Sequence, residues 1–239
     1  MICVENYMNK IISMSVWGKD PRYIVGAKRQ IELCRKYYPD WRIRLYVDDA
    51  SNFKDDDVDL YEVRDGTYGM FWRFYPMFED PNNITLCRDS DSRITIREAA
   101  CVEEWMSSDK MFHTFKDHDA HYEFPIIGCA FGFRGMFGEQ LLVMMKRYMT
   151  EYKQYLSDQF YLRDYIWPVV KSNSLVHSMN EPGWFSDTRK KLKNKFSFCG
   201  NGYDENDMPL YPDSLKNIEK FNPKEVSETF KFDEGVMYE

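Results

Sequence analysis

The chain of 239 residues is 44% hydrophobic and 17% aromatic, enough apolar material for one substantial core and hence a single domain. Its 32 basic and 39 acidic residues leave a formal net charge of -7. That is the wrong sign for a general nucleic-acid binder, which needs surplus Lys and Arg to neutralise phosphates. No stretch is apolar for the length a bilayer requires, and Met1-Ile2-Cys3-Val4-Glu5-Asn6 lacks the basic and apolar regions of a signal peptide. Cys3, Cys34, Cys87, Cys101, Cys129 and Cys199 contain no Cys-x-x-Cys pair and no zinc-like spacing, so the expectation is a cytoplasmic protein with reduced, mostly buried thiols.

Ile11 to Val16 is a short apolar run closed by Trp17-Gly18-Lys19-Asp20-Pro21, a strand followed by a loop. Ile24, Ala27, Ile31, Cys34 and Tyr38 then recur at helical spacing, giving one apolar face, and Pro39-Asp40 stops the helix. Arg42 to Val47 is a second strand, ending at Asp48-Asp49. A strand-helix-strand unit builds a parallel sheet, and open α/β sheets bind ligands beyond the carboxyl ends of their strands. Trp17, Asp48 and the later Asp91 are therefore expected along one edge. No Gly-x-Gly-x-x-Gly follows the first strand and no Gly-Lys-Ser/Thr occurs, which disfavours dinucleotide and P-loop sites.

Lys54 to Asp57 reads as a charged loop, Val58 to Val63 as a half-buried strand, and Asp65-Gly66 as a turn. The run Gly69-Met70-Phe71-Trp72-Arg73-Phe74-Tyr75-Pro76-Met77-Phe78 is core packing in the main. Arg73 is the exception, because a guanidinium within an apolar helix needs an anionic partner, a carboxylate or a phosphate.

The stretch Ile84-Thr85-Leu86-Cys87-Arg88-Asp89-Ser90-Asp91-Ser92-Arg93 carries the most chemistry: a buried strand runs straight into two carboxylates one residue apart. Hard cations such as Mg²⁺ or Mn²⁺ take oxygen ligands and are commonly held by one or two carboxylates together with substrate phosphates. With no glycine cradle in the chain, a cation on Asp89 and Asp91 would supply the phosphate counter-charge.

Thr95-Ile96-Arg97-Glu98 then matches a capping box, giving Thr95 and Glu98 a structural role at the start of a helix that Ala99, Val102 and Trp105-Met106 continue. Met111 to Phe115 is a further strand, with His113 expected as a hydrogen-bonded core residue, and it empties into Lys116-Asp117-His118-Asp119-Ala120-His121. For His118 and His121 a solvated role and a ligand-contacting role are both open. Pro125 to Phe133 reads as a strand in which Gly128 marks a bulge or a close approach of ligand to backbone. Phe137 to Tyr155 carries a long amphipathic helix, and Ser157-Asp158-Gln159 opens another that ends near Trp167-Pro168. Asp158 is an N-cap by position, and equally a carboxylate able to act as a base or to bind an acceptor hydroxyl. Beyond His177 and the loop Asn180-Glu181-Pro182-Gly183-Trp184 comes a polar segment from Phe198 to Asp207. From Pro209 onward charge and proline predict a loosely packed tail, so the domain is placed at residues 1–208 and the tail at 209–239.

The ordered set Gly-Met-Phe-Trp-Arg-Phe, Arg-Asp-Ser-Asp-Ser-Arg, Arg-Glu, Val-Glu-Glu-Trp, Phe-His, Lys-Asp-His, Pro-Ile-Ile-Gly and Asp-Gln resembles metal-dependent glycosyltransferases of the GT-A type. It is most similar to the small capsule-, glycan- and virus-encoded group with an extended Arg-Asp-x-Asp-Ser-Arg motif, over roughly residues 10 to 207. The resemblance implies a GT-A-like α/β domain, a mostly parallel central sheet flanked by helices. It implies transfer of a sugar from a nucleotide sugar, UDP-linked by preference, to a glycan or glycoconjugate. Asp89 and Asp91 would bind Mn²⁺ or Mg²⁺, with His177 as a late metal or phosphate ligand. Trp17 and Asp48 would lie near the base and ribose, and Arg73 and Arg88 near the diphosphate or the metal carboxylates, with Ser15, Val16, Trp72, Asp89 and Ser90 also in the nucleotide-sugar site. Asp117, His118 and Gly128 would face the donor sugar, with Asp117, His118 and the acceptor-side Asp158 in catalysis. The competing readings are a sugar nucleotidyltransferase or sugar-nucleotide hydrolase on the same fold, and a non-catalytic glycan- or metal-binding module.

Overall fold

The computed structural model describes residues 8–178 and 198–211. Cys3 and the rest of the N-terminal stretch, the loop at 180–184 and residues 212–239 of the expected tail lie outside the described residues.

The first apolar run forms strand β1 (Asn9–Val16), and Pro21 opens helix α1 (Pro21–Tyr37) with Asp20 as N-cap, its side chain accepting from the Arg22 N–H at 2.9 Å. Of the apolar stripe predicted for this helix, Ala27, Ile31, Cys34 and the C-cap Tyr38 are buried and Ile24 is half-buried; the buried face also takes in Gly26 and Gln30. Strand β2 (Arg42–Val47) returns parallel to β1, with Ile12 opposite Ile43 and Val16 opposite Val47, and β3 (Val58–Glu62) adds parallel at the edge. A ten-residue 3₁₀ helix, Gly69–Phe78, packs against the sheet before β4 (Asn83–Arg88), which lies parallel on the other side of β1 and is buried throughout. The chain continues through α2 (Ile96–Ser107), β5 (Phe112–Lys116), β6 (Ala130–Arg134), α3 (Glu139–Glu151), α4 (Ser157–Tyr161), α5 (Trp167–Val170) and β7 (Ser174–Ser178).

The seven strands form one sheet in the order β3-β2-β1-β4-β6-β5-β7. It is parallel except at β6, which runs antiparallel between β4 and β5. The α/β class with a mostly parallel sheet is thus as expected. The strand expected from Pro125 is shorter, because residues 125–129 are loop and β6 begins at Ala130. Likewise the helix opened at Ser157 does not end at Pro168. A π-helical stretch, Leu162–Ile166, joins α4 to α5, and Pro168 sits in the first turn of α5, where its missing N–H is tolerated.

Apolar layers cover both faces, one containing Phe71, Phe74, Phe131, Phe133, Met145 and Tyr161, the other Ile12, Ile31, Leu45, Leu86 and Trp105. Each fully buried side chain of this size contributes about 1.5–3 kcal/mol. Among the described residues Cys34, Cys87, Cys101 and Cys199 are buried and Cys129 is partly so. No helix among the described residues is long and apolar enough to cross a membrane.

Two buried groups depart from the sequence reading. Thr95 caps α2, accepting from the Glu98 N–H at 3.1 Å, but the Glu98 carboxylate does not complete the capping box. It lies 2.5 Å from Arg88 Nε and accepts from the Tyr38 hydroxyl, since the fully buried Arg88 guanidinium requires a counter-charge. His113 also differs from expectation. Both its ring nitrogens lack partners, and the ring stacks on Trp105 at 4.4 Å, so dispersion replaces the anticipated hydrogen bond.

His177 on β7 shares this environment, stacked on Phe115 at 5.4 Å with both nitrogens unpartnered. Burial holds His113 well below the ordinary histidine value and His177 down to about 3. The unfolded chain takes up protons below pH 6.5 that the folded chain refuses, so stability is lost as pH falls from 6.5 toward 3. His177→Phe is expected to reduce that acid loss by on the order of 3–4 kcal/mol, read as the difference between urea unfolding at pH 7 and pH 4 in the two proteins.

Candidate functional site

Strands β1 and β4 end side by side, and beyond their carboxyl ends opens a cavity of about 550 Å³ with Asp89, Ser90 and Asp91 in its wall. The loop bearing these residues is held from several directions. Gln30, fully buried on α1, donates to the Asp89 carbonyl at 3.2 Å and to Ser92 Oγ at 2.9 Å, while its own oxygen accepts from the Ile94 N–H at 3.0 Å. One helical turn earlier, Gly26 lets α1 meet the loop: a Cβ there would stand 2.5 Å from the Ser90 carbonyl. On the other side the Asp89 N–H donates to the Cys129 carbonyl at 3.2 Å, and the Tyr203 N–H donates to the Asp91 carbonyl at 2.8 Å.

Tyr203 belongs to a segment, residues 198–211, that crosses the acidic loop as a strap. Ser92 bridges Gly202, and the Arg93 guanidinium donates to Asp207 at 3.1 and 2.6 Å. The other Asp207 oxygen lies 3.2 Å from Arg29 of α1. Pro209 and Leu210 fold back on Tyr203 and Gly202, so the packed chain continues past residue 208.

Charge sets the character of the cavity. Arg73, buried in the 3₁₀ helix as its sequence required, donates to the Met70 carbonyl at 2.5 Å. Its Nη2 serves three acceptors: Asp158 Oδ2 at 2.7 Å, Asp89 Oδ1 at 3.1 Å and the Gly128 carbonyl at 3.2 Å. Asp91 lies 3.5 Å from Arg22 Nε, and burial followed by the charge of Asp89 pushes its carboxyl up to about 6. Burial also raises Asp158, with Arg73 opposing it. Asp89, Asp91, Glu123 and Asp158 line the cavity against the two guanidiniums of Arg22 and Arg73, among the described residues.

Of the residues read from sequence, Ser15, Trp17, Arg73, Asp89, Ser90, Asp91, His118, His121 and Asp158 line this cavity. The others do not. Val16 points into the core, and Asp48 accepts from the Gly18 N–H at 2.8 Å, fixing the loop after β1. Trp72 is bound to Thr67 at 2.8 Å and backs the Trp17 ring edge-on. Arg88 and His177 are core residues, as described above. Asp117 is fully buried with both oxygens taken by Arg97, at 2.8 and 2.6 Å, and is a structural anchor. Gly128 is small for a different reason than ligand approach: a Cβ there would stand 3.0 Å from Asp158 Oδ2 and 3.3 Å from Arg73 Nη2. Asp158 is not an N-cap, since that position is Leu156, in the left-handed region at φ 66°. Gln30, Arg22, Tyr23, Tyr155 and Tyr211 were missed. Only Arg22, directly after the helix-opening Pro21, carried a positional signal.

No protein-family model matches the chain, and no curated protein matches it. Similar solved structures include a glycosyltransferase involved in the glycosylation of the major capsid of PBCV-1, at 14% identity and a TM-score of 0.45, covering 88% of this chain and 90% of that one. Another is a 4-diphosphocytidyl-2C-methyl-D-erythritolsynthase from Anaerococcus prevotii, at 14% identity and a TM-score of 0.43, covering 77% and 94%. At these values the functional reading rests on the chemistry of the site.

Because the Asp91 carboxyl is raised in the folded chain, folding favours its protonated form, and stability falls as pH rises through about 6. Asp91→Asn is expected to be more stable than the parent at pH 7 without divalent cations, by on the order of 1–3 kcal/mol, with the difference closing below pH 4. Thermal unfolding in chelator across that pH range measures it.

Proposed function

We propose that this protein is a glycosyltransferase, moving a sugar from a UDP-linked donor to a hydroxyl of a glycan or glycoconjugate, with Mn²⁺ or Mg²⁺ on Asp89 and Asp91. The observation that carries the reading is the uncompensated carboxylate at the strand ends, where Asp91 is half-buried beside Asp89 and Arg73 is shared with Asp158. These donors fit a hard cation. Among the described residues no third His, Cys, Asp or Glu completes a metal cluster, and that suits a cation whose remaining ligands come from substrate phosphates and water.

When bound, the cation supplies positive charge against the departing diphosphate, where negative charge develops. Arg22, on the same wall as Asp91, adds a guanidinium to that side, and Trp17 with the stacked Tyr23 offers an aromatic surface to the base. The acceptor oxygen forms a bond to the anomeric carbon as the carbon–phosphate-oxygen bond breaks, its electron pair leaving with the diphosphate. Asp158 takes the acceptor hydroxyl's proton, and its burial makes it a better base than an exposed aspartate. Arg73 holds that carboxylate in register with the acidic loop.

Calorimetric titration of UDP, GDP and CDP with and without Mn²⁺ is expected to show UDP binding only with the metal, and none in Asp91→Ala. Absence of binding for all three nucleotides in the parent protein overturns the reading. Asp158→Asn should keep UDP affinity within a few-fold while turnover of the donor drops at least about 100-fold.

A further inference from the structure

With the acidic loop, Arg22 and Trp17 given to the donor, the part of the lining left over includes His118, Phe198, Tyr155 and Tyr211. It is an aromatic surface. Phe198 stacks on His118 at 5.2 Å and 20°, and Tyr211 leans on the same imidazole at 6.3 Å. Tyr155 comes from a different part of the chain, and it is 78% exposed where Tyr211 is 52% exposed. Two large aromatic rings left open to water on one cavity are a mark of a binding surface. Burial, then the Tyr211 hydroxyl and the carboxylates of Asp89, Asp158 and Asp91, push the Tyr155 phenol up, and Tyr155 lines the same cavity as those carboxylates.

The turn that aims it is strained. Leu156, the next residue, holds φ 66°, which costs a bulky side chain about 1–3 kcal/mol, and this turn sends Tyr155 outward while Asp158 two residues on goes inward.

The charges of this part are equally specific. Arg73 is occupied by two carbonyls and two carboxylates, and Arg22 sits with Tyr23 and Asp91. No other Arg and no Lys lines the cavity among the described residues. Burial lowers His118 and takes His121 down to about 3, so neither is cationic at neutral pH, and Glu123 adds negative charge.

We propose that this part of the cavity binds the acceptor as an uncharged saccharide, its C–H faces laid on Tyr155 and Tyr211, and that it rejects phosphorylated acceptors. Aromatic faces carry the negative side of a quadrupole and attract polarised C–H groups, while the surrounding carboxylates repel a sugar phosphate. The proposal rests on the transferase reading. A nucleotidyltransferase would need the reverse, a cationic subsite for a sugar phosphate.

Saturation-transfer NMR on the full chain with UDP and Mn²⁺ tests it, using methyl glycosides of glucose, galactose, mannose, xylose, rhamnose and N-acetylglucosamine beside glucose 1-phosphate. At least one neutral glycoside is expected to receive saturation and glucose 1-phosphate none. Tyr155→Ala and Tyr211→Ala should each weaken the glycoside about tenfold, the equivalent of one lost aromatic contact, with the UDP dissociation constant within twofold of the parent. Saturation of glucose 1-phosphate alone, of nothing in the panel, or of a glycoside unaffected by both substitutions overturns the proposal. Loss of UDP binding in the parent instead removes the transferase reading beneath it, and the UDP titration separates that failure from failure of the acceptor subsite.

Discussion

Burying charge is the constraint around which this molecule is built. Arg88, Arg97 and Arg73 are all but inaccessible, and each reaches a carboxylate: Glu98 at 2.5 Å, Asp117 at 2.6 Å, and Asp158 and Asp89 at 2.7 and 3.1 Å. A lone buried ion is costly, whereas a well-bonded pair roughly breaks even, so these arginines and acids fix which elements may meet. Arg88 joins β4 to α2, and Arg97 joins α2 to the end of β5. Arg73 binds the 3₁₀ helix to both the acidic loop and α4. In two of these unions the charges cancel one for one. In the third a single guanidinium faces two carboxylates, with Asp91 close by, and the negative charge left over marks the place where chemistry is available.

The remaining architecture keeps that surplus from relaxing. An aspartate in a loop would ordinarily turn to water, but the backbone around Asp89 and Asp91 is bonded to Gln30 of α1, to Cys129 before β6 and to Tyr203 of the strap. Each of these is a neutral hydrogen-bond partner worth about 1 kcal/mol, and none cancels the charge. Position and charge are thus controlled by different residues, and a cation or diphosphate would meet carboxylates already in place.

Local order was legible in the sequence; long-range pairing was not. The β1-α1-β2 unit follows directly from a short apolar run, a helical stripe ending at Pro39, and a second run, because these signals are set by neighbours in the chain. The Asp-Ser-Asp loop at the end of β4 and the need of Arg73 for an anion were visible for similar reasons. Glu98 misled because its spacing from Thr95 satisfies a local pattern while its carboxylate answers a tertiary demand from Arg88. Gly128 and Asp117 misled in the same way, being explained by Asp158 and Arg97, residues remote in sequence. The antiparallel insertion of β6 between β4 and β5 had no sequence signature, and Gln30 was invisible because a glutamine on a helix usually faces water.

The strap has a consequence for the order in which the protein becomes itself. Arg93 follows the acidic pair by two residues, yet its partner Asp207 lies 114 positions further along the chain. During synthesis the strands β1, β2 and β4 and the carboxylates between them leave the ribosome long before the residues that fasten their loop. The nascent sheet therefore carries its negative edge before the wall formed by residues 198–211 has been made. The wall that completes the cavity is thus synthesised well after the sheet that carries the acidic loop.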